Sequence, residues 1–123
     1  MKRDMELIRK LLLFFEDKES PEHVKIPPLE GYDEGTIKTH LELMHDAGLL
    51  RCEPVKSSTS DRIIYVIPFE LTWAGHDFLQ TMRDDTLWKK AKEHVLKPGA
   101  SWSFDILKEW AKHELKERLG LPE

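Results

Sequence analysis

Met5, Ile8, Leu12 and Phe15 stand three or four positions apart near the start of the chain, and Leu7, Leu11 and Phe14 widen the stripe. That period predicts an amphipathic helix over 4–18, with Asp4 as its N-cap. A stripe this broad belongs to a central helix touched on more than one side. The pattern lapses over 19–32, where Pro21, Pro27, Pro28 and Gly31 fall. Within that loop, 24–26 reads as a short strand, ended by prolines that cannot donate to a sheet. Ile37, Leu41 and Met44 restore the helical period behind Asp33, a second N-cap. Gly48 then sits where a left-handed residue closes a helix.

Past Gly48 the pattern becomes extended. Residues 50–56 and 62–68 predict two strands, the second rich in β-branched and aromatic side chains. Ser57, Ser58, Thr59, Ser60 and Asp61 between them make a polar turn, so the pair reads as a hairpin. Thr72 caps a third helix running to about Arg83, with Phe78, Leu79 and Met82 on its apolar side. A fourth helical segment, 85–96, carries Leu87, Trp88, Ala91 and Val95. Lys97, Pro98 and Gly99 break it. Ser103 caps a last helix bearing Leu107, Trp110, Ala111 and Leu115.

The order is helix, short strand, helix, hairpin, helices. A helix that ends in glycine and feeds directly into a hairpin is the winged-helix arrangement, with the hairpin tip as the wing. The expected class is α+β: a winged-helix domain over 1–84 and a C-terminal helical extension over 85–123. One departure stands out. The loop 19–32 leaves room for at most one helical turn before the second helix, so an orthodox helix-turn-helix is in doubt.

The stretch TIKTHLELMHDAGLL (36–50) resembles the recognition helix and exit strand of bacterial winged-helix regulators. FELTWAGHDFL (69–79) resembles the LT-x-x-G-x-x-x-L element that follows their wing. Together with the opening MKRDMELIRKLL, it resembles a family of bacterial and phage-associated proteins of unknown function, related to the YjcQ-like winged-helix group. The resemblance covers roughly residues 1–88. It implies a fold and a phage or prophage setting, and it carries no activity with it.

Charge shapes the functional reading. The 123-residue chain is 40% hydrophobic and 34% charged, enough for one core and a well-solvated surface. Its formal net charge is −4, without the basic excess usual in nonspecific nucleic-acid binders. The lone Cys52 excludes a disulfide within one chain and points to a cytoplasmic setting. The apolar run 11–15 is too short for a signal peptide, and nothing approaches the roughly 20 apolar residues of a membrane span.

The second helix is the recognition helix of the winged-helix reading, and duplex DNA is its expected partner. Thr36, Lys38 and Thr39, with Glu42, would enter the groove; His40 and His45 are further candidates for reading bases. Against this, Asp33, Glu34, Glu42 and Asp46 face a single cation, Lys38. Phosphates repel such a face, and an ordinary solvated helix explains it as well. Arg51, Lys56 and Arg62, taken to flank the hairpin tip, would hold the phosphate backbone. A polar tip and charged edge strands also occur without any ligand. The alternative to DNA is a protein-interaction module using the acidic helix face or the tryptophan-rich C-terminal half.

Six histidines are present, but no H-E-x-x-H or C-x-x-C spacing, so no metal is expected. His76 is expected to make a hydrogen bond near a helix start. Cys52 alternates with Leu50 and is expected to point inward. Asp84 and Asp85 suit helix capping. No catalytic constellation, cofactor motif or small-molecule site is evident, and the chain is not expected to be an enzyme. The apolar face of the last helix needs a partner. A second copy, giving a homodimer through C-terminal helices, competes with packing back on the first helix.

Overall fold

A computed structural model describes residues 1–94 and 104–120. The class is α+β: among the described residues there are five helices and one two-stranded antiparallel sheet, compatible with a winged-helix arrangement. The elements are α1 (Met5–Asp17), α2 (Glu34–Asp46), β1 (Leu50–Lys56), β2 (Ile63–Leu71), α3 (Trp73–Met82), α4 (Asp85–His94) and α5 (Phe104–Leu119). Two compact units result, Met1–His76 and Asp77–Glu123. The expected break at 97–99, Trp102 and the Ser103 cap lie outside the described residues.

In the first unit, α1 starts where Asp4 takes the backbone N–H groups of Glu6 and Leu7 on its carboxylate. Met5, Leu7, Ile8, Leu11, Leu12 and Phe15 are all buried, as a wide stripe requires. The helix packs on both α2 and β2. Ile37, Leu41 and Met44 bury the facing side of α2. That helix closes in a Schellman turn: Gly48 is left-handed (φ 76°), its N–H donates to the His45 carbonyl, and the Leu49 N–H reaches the Met44 carbonyl at 2.9 Å. The chain therefore leaves α2 already aimed along β1.

β1 and β2 pair from Leu50 opposite Leu71 to Lys56 opposite Ile63. Two register shifts leave Phe69 and Ile64 each as an extra residue on β2. β2 runs on to Leu71, three residues beyond the expected end at Pro68. Proline is tolerated there because each strand of a two-stranded sheet is an edge. The Pro68 carbonyl takes the Val24 N–H at 3.1 Å. That bond ties down the loop, but 24–26 is not a strand, correcting the sequence reading. No helix precedes α2 between 18 and 33, so the doubt about an orthodox helix-turn-helix is well founded.

In the second unit α4 and α5 pack together. Asp84 caps α4, accepting the Leu87 N–H at 2.9 Å. Leu87, Trp88 and Ala91 on α4 and Leu107 and Ala111 on α5 are buried. The α5 stripe thus finds cover on α4, a neighbour not anticipated from its pattern.

Candidate nucleic-acid interface

The six positions expected to meet DNA divide into three groups. On α2, Thr36 and Thr39 are half-buried and Lys38 is exposed. The Lys38 ammonium lies 3.3 Å from the Glu34 carboxylate, one helical turn away. Asp33 caps the helix through the Thr36 N–H at 2.7 Å. That bond holds its carboxyl below the ordinary aspartate range, so the negative charge at the helix entry is firmly kept. The one lysine on this helix is paired, and Asp33, Glu34, Glu42 and Asp46 outnumber it.

Arg51 does not flank the tip. It stands at the root of the hairpin, opposite Glu70, with its guanidinium 2.6 Å from that carboxylate. Seven residues of β1 run from root to tip, which carries Arg51 away from Lys56 and Arg62. Those two do border the tip and are exposed. Neither forms an ion pair among the described residues. The tip is organised by its own hydroxyls: Thr59 N–H donates to Ser57 Oγ, Arg62 N–H to Ser60 Oγ, and Ser57 N–H to the Arg62 carbonyl. Ser57 and Ser60 act as turn formers, so they are already engaged within the loop.

His40, a candidate base reader, is fully buried. Its Nδ1 lies 2.8 Å from the Thr36 carbonyl and its Nε2 2.8 Å from the Asp4 backbone nitrogen. An amide N–H can only donate, so Nε2 accepts and the proton sits on Nδ1. The residue belongs to the core, and its place between Ile37 and Met44 in the helical period was the available signal. Cys52 is half-buried, and burial pushes its thiol up to about 12, far from a nucleophile's range. His76 is exposed; its backbone N–H bonds the Thr72 carbonyl. Among the described residues no group of histidines, cysteines and acids could hold a metal, and no helix is long and apolar enough to cross a membrane.

Sequence reasoning saw the β-branched and aromatic residues of the second strand but not that three of them face solvent. Ile63, Ile64 and Tyr65 are 38%, 58% and 42% exposed. The bulge at Ile64 interrupts the two-residue alternation that would send every second side chain inward. Trp73, at the start of α3, is 88% exposed.

The model of a family described as "Hypothetical protein (DUF2513)" matches residues 2–101. The chain belongs to the DUF2513 family. A relative of this DUF2513 protein, an uncharacterized protein of Haemophilus influenzae, is 30% identical over 121 residues, covering 98% of this chain and 100% of its own. No solved structure matches.

Proposed function

We infer that this DUF2513 protein is a winged-helix protein-interaction module, related to the YjcQ-like group and acting in the cytoplasm of a bacterium, in a phage or prophage setting. The observation that carries the reading is the solvent-facing apolar run Ile63, Ile64 and Tyr65 on one arm of the hairpin. Isolated exposed apolar residues are ordinary, whereas contiguous ones mark contact surfaces. The acid excess on α2 supports the same choice, because four carboxylates against one lysine repel a phosphate backbone.

A photoreactive residue at position 64, expressed in the native host, tests this. Discrete adducts with another protein, absent when the same residue is placed at Glu109 of α5, support the module. An equal adduct pattern from both positions, or none from position 64, overturns it.

Duplex DNA is the second reading, favoured by Lys56 and Arg62, which border the tip without ionic partners among the described residues. In a shift assay at low salt, binding would weaken steeply as salt rises, and Lys56→Ala with Arg62→Ala would weaken it for every sequence alike. No shift at low salt removes this reading. A homodimer through the C-terminal helices fits either reading, with Leu119 on α5 exposed.

A further inference from the structure

A cleft of about 370 Å³ lies between residues 23–26, the outer edge of β2 and the first turns of α2. Its volume is that of a small-molecule site. Val24 and Ile26 come from the loop, and Val66 and Ile67 from β2. Two basic residues, Lys25 and Lys38, share the lining with one acidic residue, Glu34, and with His23 and Tyr65. The charged lining is therefore net positive, in a chain that is net negative and beside a helix dominated by acids.

The two cations are differently committed. Lys25 has no ionic partner among the described residues. Lys38 is held only by the exposed Glu34 pair, which costs little to rearrange. The loop wall is tied to β2 by two contacts. The Val24 N–H is bonded to the Pro68 carbonyl, and the His23 ring meets the Phe69 ring edge-on at 5.9 Å.

We propose that this cleft binds a small amphipathic organic anion, with an aromatic or short-chain apolar body and one carboxylate. The body lies against Val24, Ile26 and Ile67, and the carboxylate takes Lys25 and draws Lys38 from Glu34. Charge complementarity selects the anion, since a cation would meet two ammonium groups. The proposal does not rest on what Ile63 and Ile64 contact, although Tyr65 borders both surfaces.

The test is a titration of the full chain with 4-phenylbutyrate, followed by backbone amide NMR, with 4-phenylbutyramide as the neutral isostere. Saturable shifts at the amides of 24–26 and 65–67 are expected with the acid. The amide should bind about fivefold more weakly, the upper end of what an exposed charge pair makes. Lys25→Glu, at an exposed loop position, should remove acid binding while leaving the rest of the spectrum unchanged. Added salt should weaken the acid and spare the amide.

The proposal is overturned if millimolar acid gives no saturable shift at those amides, or shifts only Ile63 and Ile64. Equal binding of acid and amide, or of the wild type and Lys25→Glu, overturns it too. So do shifts at the same amides on concentrating the protein alone, which would seat a second copy in the cleft.

Discussion

His40 of α2 accepts a hydrogen bond from the backbone N–H of Asp4, the residue that caps α1. In a capping box the N-cap N–H is satisfied by a glutamate or glutamine three residues on. Here that position is Leu7, which cannot serve, and an imidazole 36 residues later takes its place. The start of one helix is thus completed by the side chain of another.

Replacing His40 should therefore cost more than its volume. His40→Ala leaves a cavity, strips the Asp4 N–H of its acceptor and takes a side-chain donor from the Thr36 carbonyl, a loss of about 2–4 kcal/mol. Urea unfolding measures the loss. Hydrogen exchange at the Glu6 and Leu7 amides should quicken by more than at the α5 amides. A change below about 0.5 kcal/mol, as at an ordinary surface site, would refute the role.

Gly75 lies in the first turn of α3, where alanine would ordinarily stabilise a helix by about 1 kcal/mol. A Cβ built there falls well inside contact distance of the Leu49 backbone carbonyl, with the Leu71 Cβ 3.3 Å away. Backbone cannot step aside cheaply, so Gly75→Ala should instead destabilise by roughly 2 kcal/mol or more. Thermal melts of the variant decide the sign.

Gly48 makes the opposite case. A Cβ there meets nothing within 4 Å, but the backbone is left-handed at φ 76°. Gly48→Ala should lose only about 1 kcal/mol, the conformational cost alone. Gly48→Asn should recover part of it, because asparagine tolerates that region. Chemical denaturation of the two variants side by side tests the order.

Much of this fold can be read from spacing and capping chemistry. α1, α2, their Asp caps and the Gly48 exit follow from the helical period and from residues that act locally. What escapes is decided by partners distant in sequence. His40 reads as a surface base reader until the Asp4 N–H is placed beside it. Arg51 reads as a tip residue until the register sets it against Glu70 at the root. Pro68 reads as a strand end because its pattern cannot show that the ladder has a free side. In the candidate site only Lys56 and Arg62 hold the tip positions expected of them, and the bulge that exposes Ile64 has no sequence signature at all.

Cys52 should be slow toward thiol reagents. Its thiol, raised by burial from the free-cysteine value of 9.0 to about 12, is almost wholly protonated at neutral pH. Ellman's reagent should react faster in denaturant than in buffer. The raised value also sets a sign: its contribution to stability is complete below about pH 9 and is lost as pH climbs toward 12. Cys52→Ser should flatten that alkaline slope in denaturation measured across pH. An equal slope in both proteins would exclude the thiol as its source.

The Thr72 hydroxyl donates to the Gly48 carbonyl at 2.5 Å and accepts the Gly75 N–H at 3.0 Å, while the Thr72 N–H reaches the Leu49 carbonyl. One residue, directly after the ribbon ends at Leu71, thereby joins the exit of α2 to the opening turn of α3. The base of the β-ribbon is pinned beside both helices: to swing there it must first break the Thr72 hydrogen bonds. A load applied at Ile64 or at the tip meets those bonds before it meets either helix.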